Sequence, residues 1–175
     1  AWVAAEKSNL PKFYLNLKPY KKSLLNNSNP YTPAVNLFFA LDEALKMMRE
    51  EGLENIFMRH NKHKLAMSNA VKALDLKLFA DEKYLSPSVT AIKTGEIDAE
   101  EFRKKIKKEF DILLAGGQDH LKGKIFRVGH LGYVNDRDII TVISAISNTL
   151  LSLGKINSEQ AGEALEVANN YLKCN

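Results

Sequence analysis

The order in which hydrophobic spacing changes along the chain limits its fold more than any single motif. From residue 34, apolar positions recur every three or four residues, at Val35, Phe38, Leu41, Leu45 and Met48, with Asp42, Glu43, Lys46, Arg49 and Glu50 between them, which is the spacing of an amphipathic helix with the apolar set inward. Thr32-Pro33 offers a cap and a first-turn proline. Gly52 allows a break, and a second helix should follow with Ile56, Phe57, Met67, Ala70, Val71 and Leu74 inward and a basic outer face that includes Arg59, His60, Lys62 and His63. The spacing then drops to two. Residues 76–80 alternate, and residues 88–93 and 124–129 are β-branched and apolar, so all three read as strands. Between the last two, Asp98 opens a helix with Phe102, Ile106 and Phe110 on one face, and an apolar run at 111–115 meets Gly116-Gly117. Asn135 caps a helix carrying Ile139, Val142, Ile143, Ile146 and Leu150, ended by Gly154, and a last helix runs from near Ser158 toward Leu172. This order predicts an α+β fold, a small and mostly antiparallel sheet with helices packed on one face. A βαβ unit across residues 89–112 is the other sheet polarity open to the sequence.

Residues 1–33 read differently. Pro11, Pro19, Pro30 and Pro33 interrupt any long helix, residues 26–30 form a polar loop, and residues 13–17 read as extended. We expect residues 1–33 to be a connector arm with a few anchoring aromatics, and residues 34–175 to be the folded domain. The chain starts at Ala1 rather than Met, and residues 2–5 are too short an apolar run for a signal-peptide core. The expectation is either that a segment was removed or that this is a piece of a larger protein.

With 45% hydrophobic and 26% charged residues the composition is that of an ordinary globular protein. No run approaches the roughly 20 apolar residues of a spanning helix. Cys174, the single cysteine, has no intrachain partner for a disulfide and cannot by itself supply a thiolate zinc site or an iron–sulfur cluster. A reducing, cytoplasmic location is expected. The formal charge of +4 suggests a polyanion partner until it is divided, because residues 1–30 hold five Lys and one Glu and leave 20 bases against 20 acids for the rest. The cluster Arg103, Lys104, Lys105, Lys107 and Lys108 is flanked by Glu100, Glu101, Glu109 and Asp111. Acids first and bases late describe a solvated helix that complements its own dipole, and no nucleic-acid or membrane partner is expected.

Few residues carry chemistry. Gly116, Gly117 and Gly123 lack the spacing of a phosphate-binding loop and fit turns and close backbone packing better. His60 and His63 read as surface helix residues without a third metal ligand. Arg127 stands mid-strand between Phe126 and Val128, where a guanidinium must face solvent, pair with an acid or await an anion. Thr32, at the start of a helix, is either a cap or a phosphate contact.

Several ordered segments resemble the C-terminal part of class V aminotransferases of the alanine:glyoxylate or serine:pyruvate branch. They are TPAVNLFFALDEAL from Thr32, EGLEN from Glu51, AGG from Ala115 and KGKIFRVGHLG from Lys122. The resemblance implies a homodimeric enzyme using pyridoxal phosphate, bound as a Schiff base to a lysine of a large domain that precedes this region and is not part of it. It implies that Arg127 grips the substrate α-carboxylate, and that Thr32, with Tyr31 replacing a tyrosine that many relatives carry at the position of Asn29, reaches the cofactor phosphate of the neighbouring subunit. It further implies transfer of an amino group between alanine or serine and glyoxylate or pyruvate, by the complete protein and not by this chain alone. Relatives in this branch have also been described as a soluble hydrogenase subunit. The alternatives are an interaction module that keeps the fold without catalysis and, less supported, a basic nucleic-acid-binding domain.

Overall fold

The computed structural model describes residues 2–173; Cys174, on which the cysteine argument turns, lies outside them. The chain divides into two compact units, one up to Glu50 and one from Glu51 onward.

The first unit holds helices α1 (Trp2–Lys7), α2 (Leu17–Leu24) and most of α3 (Val35–Glu51). Residues 13–17 are not extended. Asn16 takes the N–H of Lys18 on its side chain at 3.1 Å and gives its own N–H to the Phe13 carbonyl at 3.2 Å, the local competition that makes Asn a capping residue rather than a strand residue. Phe13, Tyr14 and Tyr20 gather around Tyr31, with ring centroids 5.9, 4.9 and 5.9 Å from it. Helix α3 has the expected period but not the expected burial. None of its residues is buried, and Phe38, Leu41 and Leu45 are all exposed. Its start also differs, since the Ala34 carbonyl accepts from Phe38 at 3.2 Å; Ala34 is therefore the cap position, and Thr32 lies outside the helix.

The second unit continues with α4 (Leu53–Ala73), β1 (Lys77–Leu78), β2 (Val89–Lys93), α5 (Ala99–Phe110), β3 (Ala115–Gly116), β4 (Ile125–Gly129), α6 (Asp136–Ser152) and α7 (Ser158–Lys173). The strands lie in the order β1-β2-β4-β3 with every pairing antiparallel. No adjacent βαβ unit forms, because β4 lies between β2 and β3. Period two places Thr90, Ile92, Phe126 and Val128 in the core, where the Phe126 ring sits 5.2 Å from that of Phe102 on α5. Lys77, Ala91, Lys93 and Arg127 alternate onto the other face, and α5 packs on the first through Phe102.

Local chemistry fixes the helix ends as read. Asp98 accepts from the N–H groups of Glu100 and Glu101, and Asn135 and Asp138 form a reciprocal capping box. Gly154 takes φ 65° just past α6, the left-handed stop that favours glycine. The basic residues of α5 pair within their own segment, Arg103 with Glu100, Lys104 with Glu101, Lys105 with Glu109 and Lys107 with Asp111. Among the described residues, no helix is long and apolar enough to cross a membrane.

Candidate functional site

Arg127 is half-buried on β4, directly across from Ala91 on one side and Ala115 on the other. Both cross-strand neighbours are small. Its Nε donates to the Gly116 carbonyl at 3.0 Å, which fixes the plane of the guanidinium. Among the described residues no acid lies within ion-pair distance of it, so the outer N–H groups remain available for a planar anion.

The Gly116 carbonyl is itself held in place. Gly117 donates to Ile125 at 3.1 Å, and a Cβ added at Gly117 would stand 2.1 Å from the Leu121 carbonyl oxygen. These glycines serve close backbone approach, as the sequence indicated. Gly117→Ala should lower stability by about 1–3 kcal/mol through overpacking, read as a lower urea midpoint at unchanged slope; an unchanged midpoint would mean that the 117–121 turn relaxes freely.

Beyond β4, residues 130–136 are tied to α4. Arg59 bonds both oxygens of Glu51, at 2.6 and 2.9 Å, and the carbonyls of Gly132 and Val134, at 3.0 and 2.8 Å. His60 gives Nδ1–H to Ile56 at 2.8 Å and takes the Gly132 N–H on Nε2 at 3.3 Å. His63 donates Nε2–H to Asp136 at 2.8 Å, leaving a buried Nδ1 without a partner among the described residues. Neither histidine is the surface residue expected from sequence; both are buried, because their partners approach from sequence positions more than 70 residues away. Burial pushes His63 down, against the opposing pull of Asp136. Burial raises the Asp136 carboxyl, but the bonds from His63 and Lys62 outweigh it and hold the group below its usual range.

His130 is fully buried, giving Nδ1–H to the Pro87 carbonyl at 3.1 Å and taking the Thr90 hydroxyl on Nε2 at 2.9 Å. Burial pushes it down from 6.5 to about 4, against the Pro87 bond. The unfolded chain therefore binds this proton first, and the stability contributed by neutral His130 is complete above pH 6.5 and falls as pH drops toward 4. The loss should approach about 3 kcal/mol. Urea unfolding at pH 7 and pH 4.5 checks this, with His130→Gln expected to flatten the difference; an equal difference in the variant would assign it elsewhere.

In the first unit, a shallow cavity of about 820 Å³ is lined by Tyr14, Ser28, Tyr31 and Thr32 among others. Four hydroxyl-bearing residues thus line it. Thr32 has no hydrogen-bond partner among the described residues, and Tyr31 donates weakly to the Phe13 carbonyl at 3.4 Å. Tyr14 and Ser28 were not evident in sequence, since only the aromatic packing around Tyr31 brings Tyr14 there. Tyr31 and Thr32 belong to one unit and Arg127 to the other. Among the described residues no group of three His, Cys, Asp or Glu could hold a metal ion.

No protein-family model matches the chain. It is 52% identical over 157 residues, 90% of its length and 41% of the relative's, to a soluble hydrogenase small subunit of Synechococcus. It is 37% identical over 175 residues to an uncharacterized aminotransferase of Methanocaldococcus jannaschii, covering 98% of the chain and 45% of that protein. Its fold superposes on ureidoglycine-glyoxylate aminotransferase from Bacillus subtilis with a TM-score of 0.86 and 31% identity, over 97% of the chain and 44% of that structure. The chain's homologues and structural neighbours are class V aminotransferases. It matches their C-terminal, small domain in its four-stranded antiparallel sheet and its helices, and glyoxylate-dependent aminotransferases are among the relatives. The chain spans less than half the length of the relatives named here.

Proposed function

We propose that this chain is the small domain, residues 34–175, with a connector arm, residues 1–33, of a homodimeric aminotransferase that moves an amino group between alanine or serine and glyoxylate or pyruvate. The observation that carries this reading is Arg127, fixed through Nε and free at its outer edge. Such a fork matches a carboxylate with two parallel hydrogen bonds. Bound there, a substrate is oriented before reaction, which converts affinity into proximity.

The cofactor implied is pyridoxal phosphate, which when bound supplies the electron sink for charge developing at the substrate α-carbon. The hydroxyls of Thr32 and Tyr31 suit a phosphate, and that of Thr32 has no partner among the described residues; they would serve the neighbouring subunit's cofactor. The lysine that holds the cofactor and moves the α-proton is assigned to the preceding large domain, so the chain alone is expected to be inactive. The exposed apolar surface of α3, with Phe38, Phe39 and Leu41, is assigned to contact with that domain.

Supplying alanine and glyoxylate to the complete, cofactor-loaded protein should yield pyruvate and glycine, while the 175-residue chain alone yields neither. Turnover by the chain alone would overturn this division of labour. No turnover by the complete protein with any amino donor would favour the interaction module.

A further inference from the structure

Strand β3 is two residues long and lies at the edge of the sheet, so its ladder with β4 gives it little hold. Yet the Gly116 carbonyl that orients Arg127 belongs to it. The Gly117 N–H turns inward to Ile125, and by alternation the carbonyls of Leu114 and Gly116 both point to the open edge. Arg127 takes the second of these carbonyls. Arg103, from α5, takes the first, its Nε donating to Leu114 at 2.7 Å.

Arg103 differs from its neighbours on α5. The Lys104–Glu101 pair leaves both side chains 72% exposed, whereas Arg103 and Glu100 are 22% and 30% exposed. The first is a solvated pair, and such pairs fix little. Arg103 Nη1 donates to both Glu100 oxygens at 2.9 Å. A Cβ added at Gly116 would meet that Nη1 at 2.5 Å and a Glu100 oxygen at 2.6 Å, so the ion pair lies against the residue whose carbonyl Arg127 uses. One guanidinium thus holds β3 twice, by a bond to the carbonyl two residues before Gly116 and by contact with Gly116 itself.

We propose that Arg103 is a positioning residue for Arg127: through Leu114 and Gly116 it sets the plane in which Arg127 meets a carboxylate. The inference rests on the reading of Arg127 given above and adds a residue, on a different element, on which that binding depends. Without Arg103 the short edge strand shifts against β4 and carries the Gly116 carbonyl with it. The Arg127 fork then tilts out of the plane that two parallel hydrogen bonds require.

The test is titration calorimetry of the complete, cofactor-loaded protein with butyrate, a carboxylate without an amino group, which reports binding without turnover; a urea curve for each variant shows that it is folded. Arg103→Met should weaken butyrate binding about tenfold, within the range that a misplacement of about 1 Å produces. Arg103→Lys keeps the charge and the reach to Glu100 but loses the Nε–H that holds Leu114, and a loss of about threefold is expected; it carries the test if the methionine variant does not fold. Lys104→Met, the same charge change one residue on, should stay within about twofold. In an Arg127→Lys background, which has no Nε–H to seat on Gly116, Arg103→Met should cost less than about twofold, the non-additivity expected of a residue that acts through another. Unchanged affinity in the Arg103 variants, or an undiminished loss in the Arg127→Lys background, would overturn the proposal. Unchanged affinity in the Arg103 variants with weaker binding in Arg127→Lys would leave the carboxylate role of Arg127 intact. Affinity indifferent to Arg127→Lys would remove that role and the proposal together.

Discussion

Arg127→Met in the complete, cofactor-loaded protein should lower kcat/KM for every amino donor by about 1000-fold, on the order of 4 kcal/mol, which lies within the range for truncating one partner of a hydrogen-bonded charge pair. Arg127→Lys keeps the charge but loses the fork, and a loss of about 10- to 100-fold is expected. The effect should appear mainly as weaker use of amino and oxo acids, with cofactor binding unchanged. Folding should be little affected, because the side chain contributes one internal hydrogen bond, to Gly116, worth about 0.5–1.5 kcal/mol. Steady-state kinetics alongside a denaturation curve separates the two effects. Unchanged kinetics with amino acids would remove Arg127 from the site.

The opposite face of the same strand should give the largest effect on stability. Phe126 is fully buried and packs against the ring of Phe102. Phe126→Ala removes a large side chain from a place where β2, β4 and α5 meet, and it should destabilise the protein by about 3–5 kcal/mol. That is a large share of the roughly 5–15 kcal/mol that holds a typical domain together. Phe126→Leu, which conserves more volume, should lose about 1–1.5 kcal/mol. Urea midpoints measure both, and a loss below about 1 kcal/mol for the alanine variant would mean that the ring does not anchor the core. Adjacent residues of one strand thus perform separate work: Phe126 holds the sheet to the helices, and Arg127 faces outward.

That alternation is why Arg127 was legible in sequence. A lone guanidinium between Phe126 and Val128 marks the change of face, and the periods of two and 3.6 gave the order of elements. Caps at Asp98 and Asn135 and the stop at Gly154 were equally legible, because their chemistry lies within a few residues of the helix ends they serve. What the sequence misplaced depends on distant partners. His60 and His63 share a helix face with Arg59 and Lys62, so their polarity suggested solvent; residues 132–136, which bury them, return only after four strands and a helix. The apolar spacing of α3 predicted a helix correctly, yet spacing cannot say what covers it, and none of its residues is buried. The convergence of Tyr14 and Ser28 with Tyr31 and Thr32 depends on a turn at residues 13–16 that was taken for an extended segment.

The central claim is that this domain works as part of a lysine-bearing aminotransferase, and sequencing the coding region immediately upstream of Ala1 in the source gene tests it most directly. The account predicts an open frame encoding a large domain, with a Ser-x-Lys motif a short distance before Ala1. A start codon at or just before Ala1 would contradict it, leaving a domain without the Schiff-base lysine as the natural product and an interaction module as its function.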